Sequence, residues 1–259
     1  MSTTRMTGAE AEAQLHAKAI SADRYLRERV APGRWDLNYP HLKDLGDALV
    51  KRAPSIQGEV FDYGCGGAPY RRLFAHCKRY IAADVEANPA VDRLLKADGT
   101  TSEANASYDA VLSTQVLEHV LDAEAYVREC HRILRPGGQL ILTTHGMFEE
   151  HGCPHDFHRW TSRGLEELVA SQGFQIVESL KLTTEMRAAV QLAHHVILHF
   201  RSRERPIWHL FMAATRKIYL ATALPILNWL ADRFPEQAAA PGDHQASLYV
   251  CVWVRAVKK

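Results

Sequence analysis

Val60-Phe61-Asp62-Tyr63-Gly64-Cys65-Gly66-Gly67-Ala68-Pro69 runs an apolar strand end into an acidic residue and then into a glycine-bearing turn. Glycine reaches positive φ at little cost and leaves no Cβ between backbone and ligand. Asp62, at the strand's end, is placed to accept hydrogen bonds from a cationic or hydroxyl-bearing ligand. Such a turn suits the nucleotide-side pocket of an open α/β sheet, although any α/β protein can carry a tight turn there. Laid on G-x-G-x-x-G, the last glycine position falls at Pro69, which has no N–H and a fixed φ. That proline suits the first turn of a helix but not the close helix–strand packing a third glycine provides. An amino-acid-bearing nucleoside therefore fits this turn better than a dinucleotide pyrophosphate.

Outward from the turn, strand-like runs occur at 58–63, 79–84, 108–113, 138–144, 174–182 and 248–257. Helical patterns lie between them. Ala123, Val127, Cys130 and Leu134 recur at helical spacing, and Arg135-Pro136-Gly137-Gly138 stops that helix and turns into the next strand. Thr161 or Ser162 can cap a helix with Leu165, Leu168 and Val169 on one face, closed by Gly173. Upstream, 8–30 and 41–53 read as helices ended by Pro32-Gly33 and Pro54. Strands alternating with helices predict an α/β fold with a mostly parallel, doubly wound, Rossmann-like sheet. Three parts follow: a helical segment over 1–55, a core over 56–183 and 247–259, and a helical insertion over 184–246.

Composition narrows the class. The 259 residues are 47% hydrophobic and 24% charged, with a net charge of +1. This is ordinary for a core-forming protein and offers no basic field for nucleic acid. The five cysteines, Cys65, Cys77, Cys130, Cys153 and Cys251, are odd in number, scattered and without C-x-x-C. A disulfide framework is not expected, and a reducing cytoplasm is the simplest home. No apolar leader is read at the N-terminus.

With these elements in order, the chain resembles a class I S-adenosylmethionine-dependent methyltransferase of the type 11 kind over about 56–182, with 247–257 as the final strand. Asp62-Tyr63-Gly64-Cys65-Gly66-Gly67 matches the family's first motif, along the methionine part of the cofactor. Asp84, followed by Val85, matches the acid that binds the ribose hydroxyls, for which a carboxylate is the natural double acceptor. Asp98-Gly99 stands where relatives place an acid against the adenine amino group. Ser113-Thr114-Gln115-Val116-Leu117-Glu118-His119-Val120 matches the segment that closes over the cofactor, implying contacts from Gln115 and His119. Ala68 departs from the third glycine many members carry, which touches only loop detail. The resemblance implies S-adenosyl-L-methionine as cofactor and a seven-stranded sheet whose last strand is antiparallel.

Methyl transfer from a sulfonium is an in-line displacement, so alignment matters most, and an alcohol acceptor also gains from a base. Candidates lie beyond the fifth strand, where His145, His151, Cys153, His155, Asp156, His158 and Arg159 cluster in sequence. Pro154-His155-Asp156-Phe157-His158-Arg159-Trp160-Thr161 is similar to a block of methyltransferases associated with surface polysaccharides. That likeness implies His155 and Asp156 as the catalytic pair, with His145, His158 and Arg159 toward a saccharide or other small-molecule acceptor. Histidines at this density could ligate a metal, but no H-E-x-x-H or paired-cysteine pattern occurs, so none is expected. Asp156 as a loop cap and Arg159 paired to Glu149 or Glu150 are the plainer alternatives. For 184–246, three roles stay open: a lid, a peripheral-membrane platform anchored by Trp208, Phe211, Tyr219 and Trp229 with Arg201, Arg203 and Arg205, or a hairpin on the core or a homodimer interface. The expected activity is O-methylation of a sugar or saccharide–lipid intermediate. Its rivals are an amine or quinone-like acceptor, a non-catalytic scaffold and a nicotinamide dehydrogenase.

Overall fold

A computed structural model describes residues 23–152, 155–199, 206–234 and 247–259. Cys153, Pro154, Arg201, Arg203, Arg205, the 236–243 connector and the first part of the 8–30 helix lie outside the described residues, as do the side chains of Trp208 and Phe211. The helices are α1 (23–30), α2 (Tyr39–Arg52), α3 (Ala123–Ile133), α4 (Ser162–Ser171), α5 (Glu185–His199), α6 (Pro206–Ala221) and α7 (Ala223–Ala231). The strands are β1 (Glu59–Tyr63), β2 (Arg79–Asp84), β3 (Arg93–Leu94), β4 (Tyr108–Thr114), β5 (Leu134–His145), β6 (Phe174–Thr184) and β7 (Tyr249–Lys258).

The strands form one seven-stranded sheet in the order β3-β2-β1-β4-β5-β7-β6. Neighbours from β3 to β5 are parallel, and β7 runs antiparallel between β5 and β6. The two-residue edge strand β3 has no periodic signal in the sequence. The expected break at Arg135–Gly138 is instead an irregularity inside β5. Tyr108 faces Leu134 and Ala110 faces Gln139, so the intervening residues bulge, with Gly137 at φ 77°.

Alternation along β1 feeds both faces. Phe61 packs with Val127, Cys130, Ile133, Leu165 and Val169 from α3 and α4, while Val60 packs with Leu45, Leu49 and Trp253 on the α2 side. Burial of both faces explains the apolar runs of the central strands. Asp122 caps α3 by accepting from Ala125 N at 2.9 Å, and Thr161 caps α4 from Gly164 N at 3.1 Å. Each cap contributes about 1 kcal/mol.

Helices α5–α7 fold back onto the N-terminal part of the chain. The buried Arg187 guanidinium donates to Asp44 Oδ1 at 2.5 Å and Oδ2 at 2.9 Å, and to the Ala231 carbonyl at 2.7 Å. Thr183 Oγ1 also donates to Asp44, at 2.8 Å. His194 joins Tyr219 at 2.5 Å and Asn228 at 2.8 Å, and Asn228 Nδ2 reaches the Arg34 carbonyl at 2.9 Å. Tyr219 is therefore a buried network member rather than a surface anchor. Trp229 is 41% exposed with Arg233 over its ring at 4.7 Å. Among the described residues no helix is long and apolar enough to cross a membrane.

Candidate functional site

The parallel strands β1, β2 and β4 all end at one edge, and their following turns meet there. Gly64 sits at φ 79°, and a Cβ on it would come within 2.5 Å of the Val116 side chain in the turn after β4. At Gly66, φ 52°, a Cβ would meet the Tyr25 hydroxyl at 2.7 Å, so α1 lies directly over the turn. Tyr25 in turn carries the Arg29 guanidinium 3.6 Å above its ring. The glycines thus make a shallow cradle that any side chain would fill.

Asp62 is 1% exposed at the base of this cradle. Tyr80 donates its hydroxyl to Asp62 Oδ2, and Oδ1 has no hydrogen-bond partner. Burial pushes the Asp62 carboxyl up to about 7, against the opposing pull of the Tyr80 hydrogen bond. A buried, unpartnered carboxylate oxygen is costly unless a ligand satisfies it. Asp84, ending β2, accepts from Gly66 N at 2.7 Å and Glu86 N at 3.1 Å, which joins the two turns. Val85 beside it is 49% exposed. Asp98 accepts from Thr100 N and Oγ1 at 2.9 and 2.8 Å and so caps its own turn. The Tyr63 hydroxyl donates to the Gly99 carbonyl and pins that turn to the end of β1. Burial pushes the Cys65 thiol up, which makes it an inert wall. Gln115, at φ 56°, turns its amide into the sheet, with Nε2 3.1 Å from Thr143 Oγ1 and 3.2 Å from Cys251 Sγ, while its Oε1 is buried without a partner.

The acceptor side is a knot of imidazoles and carboxylates at the ends of β4 and β5. Ring centroids place His41 5.2 Å from His145, His145 5.1 Å from His151 and His151 5.0 Å from His119, with Phe148 stacked on His145 at 4.2 Å. Glu118 is fully buried, and its Oε2 accepts from Thr144 Oγ1 at 2.8 Å. Burial pushes its carboxyl up to about 6, against its backbone and Thr144 hydrogen bonds. Burial also holds His41, down to about 3, and His145, well below its usual value, in the neutral form.

The segment after residue 154 docks by its backbone. Phe157 N donates to the Glu118 carbonyl at 2.7 Å and Trp160 N to the His145 carbonyl at 2.9 Å. His155 and Asp156 do not form the expected pair. The His155 ring is exposed beside Phe157, and only its carbonyl enters the cluster, 2.7 Å from His119 Nδ1. Asp156 instead holds His151, from backbone N at 2.9 Å and Nδ1 at 3.3 Å, while Arg159 grips both its oxygens at 2.6 and 2.5 Å. Burial works against ionised Asp156, but the Arg159 and His151 hydrogen bonds overcome it and hold the carboxyl down to about 2. Arg159 also donates to the Phe148 carbonyl at 3.2 Å and to that of Glu149, so it clamps the loop. His158 Nε2 lies 3.4 Å from the Leu121 carbonyl, with its ring against Trp160 rather than in the knot. Sequence spacing passed over Tyr25, Arg29, His41 and Glu118 as site residues. Tyr25 and Arg29, one helical turn apart, offered a weak signal, and His41 offered none.

Residues 61–142 match the family described as "Methyltransferase domain". A curated "Ubiquinone biosynthesis O-methyltransferase" of Xanthomonas oryzae pv. oryzae is 33% identical over 113 residues, 38% of this chain and 47% of that protein. The chain spans about half the length of the curated relatives it matches. Among solved structures, phosphoethanolamine N-methyltransferase 2 of Haemonchus contortus, in complex with S-adenosyl-L-methionine, aligns at TM-score 0.55 and 16% identity, over 93% of this chain and 57% of that one. The 1,6-didemethyltoxoflavin-N1-methyltransferase of Burkholderia thailandensis aligns at TM-score 0.52 and 14% identity, over 100% and 93%. At these identities the likeness is one of fold, and the fold is that of the class I methyltransferases.

Proposed function

We propose that the protein is an S-adenosylmethionine-dependent methyltransferase acting on a hydroxyl oxygen of a small molecule. The observation that carries this reading is the buried, unpartnered Asp62 oxygen under a glycine cradle whose other wall is Asp84. Asp62 would accept from the cofactor's ammonium group, Asp84 from its ribose hydroxyls, and the Asp98–Gly99 turn would face its adenine. When bound, the cofactor supplies a sulfonium-activated methyl group. The matched domain supports methyl transfer, and the relatives' printed names favour the oxygen of a small molecule. The 154–161 block supports a saccharide hydroxyl, and the relatives' names support a quinol-like one. Oxygen is the chemistry the two share.

On the acceptor side, His119 is the residue suited to take the hydroxyl proton. A carbonyl only accepts, so contact with the His155 carbonyl fixes the proton on His119 Nδ1 and leaves a lone pair on Nε2. His155 would then contribute through its backbone, and Asp156 through the loop it organises. Calorimetric titration of the cofactor, together with transfer of label from methyl-labelled cofactor to cell-extract acceptors, on wild type, Asp84→Ala and His119→Ala tests both halves. The first variant should lose most affinity, and the second should keep affinity while losing about 100-fold or more in turnover. Unaltered cofactor binding in Asp84→Ala, or full activity in His119→Ala, would overturn the corresponding half.

A further inference from the structure

We propose that Glu118, His145 and His151 form a binding site for a divalent first-row metal ion such as zinc, on the acceptor side of the cradle. One donor atom from each of the three lies within 4.8 Å of the other two. Glu118 and His145 are 0% and 4% exposed and His151 is half-buried, so the group is roofed but reachable. Two imidazoles and one carboxylate form a common donor set for such ions, leaving coordination positions open for substrate or water.

Unsatisfied buried atoms fit a cation at this place. Glu118 Oε2 is taken by Thr144, whereas Oε1 is buried with no hydrogen-bond partner, as is His145 Nδ1. His145 Nε2 stands 3.4 Å from Glu118 Oε1, with no hydrogen bond between them. Donors at about 2.0–2.2 Å from one tetrahedral ion sit roughly 3.3–3.6 Å apart, so this pair already has the required separation. Drawing in the third donor from within 4.8 Å needs a side-chain adjustment of about 1 Å.

His151 is held as a ligand would be. Its Nδ1 faces the Glu149 carbonyl at 3.2 Å and Asp156 Oδ2 at 3.3 Å. Both are acceptors, so Nδ1 carries the proton and Nε2 the lone pair. A carboxylate behind a ligating imidazole is a recurrent outer-shell arrangement that fixes tautomer and ring orientation. Arg159 in turn fixes Asp156. This explains the local histidine density without assigning every histidine a catalytic role. It also gives the acceptor a chemistry that rests on the reading above. An ion with open positions would bind the acceptor's hydroxyl oxygen and lower its pKa, and His119 alongside would take the proton released.

The test uses full-length protein stripped with a chelator and titrated with ZnCl2 and, for its ligand-field absorption, CoCl2. One equivalent per chain is expected. Asp156→Asn should weaken binding by about 10–100-fold, and Glu118→Gln and His151→Ala by more. His76→Ala, on an exposed ring bonded to the Ile56 carbonyl, should leave binding unchanged. Glu118 is buried, and should its variant fail to fold, His151→Ala on a half-buried ring decides the matter. Absence of stoichiometric binding, or full binding in His151→Ala, overturns the proposal. Cofactor titration on the same metal-free protein separates the outcomes. Cofactor binding together with no stoichiometric metal binding removes only the metal site, and metal binding together with no cofactor binding removes only the methyltransferase reading.

Discussion

Replacing Asp62 by Asn should make the protein gain stability on wild type as pH rises toward neutrality while weakening its hold on the cofactor. Burial raises the Asp62 carboxyl from 3.8 to about 7 in the folded chain. The unfolded chain releases this proton near 3.8 and the folded chain keeps it until about 7. Over that window the folded state binds more protons, so stability falls as pH rises, by about 1.4 kcal/mol per pH unit. The loss begins above 3.8, levels off above about 7, and totals about 4 kcal/mol at its limit. Asn cannot ionise, its oxygen can still accept from Tyr80, and any cost of its buried NH2 group is the same at every pH. Urea unfolding of both proteins from pH 5 to 7.5 should therefore show the variant gaining on wild type by about 2–3 kcal/mol. Cofactor affinity measured alongside should drop, because the ammonium partner has lost its charge. A stability difference that does not change with pH would refute the reasoning, since it would mean Asp62 is ionised throughout or satisfied in the fold.

Two further outcomes follow from the packing. Gly64→Ala places a Cβ 2.5 Å from Val116 at φ 79°, so a loss of about 1–3 kcal/mol in stability and a clear loss of cofactor binding are expected, read by thermal denaturation and calorimetry. Asp44→Ala leaves the buried Arg187 charge without its main counter-ion. It should cost about 3–5 kcal/mol in urea unfolding, whereas half-buried Lys43→Ala should cost under 1 kcal/mol despite its 2.5 Å ion pair with exposed Asp47.

The sequence by itself determined the order of elements, and with it the sheet and the edge at which the turns after β1, β2 and β4 meet. Glycines 64 and 66, Pro69 and the alternation of Val60 with Phe61 are local facts, because turn conformation and strand period depend on neighbours a few residues away. Asp62 and Asp84 were legible for the same reason, each ending a strand beside a turn. Tertiary structure decided what the chemistry-bearing side chains face. His155 and Asp156 are adjacent in sequence, yet the first ring is exposed while the second carboxylate is held in the loop by His151 and Arg159. Glu118, His145 and His151 come from the helical turn after β4, the end of β5 and the loop beyond it, and no spacing rule links them. Only the parallel pairing of β4 with β5 brings them to one edge, and only burial there leaves a carboxylate oxygen without water.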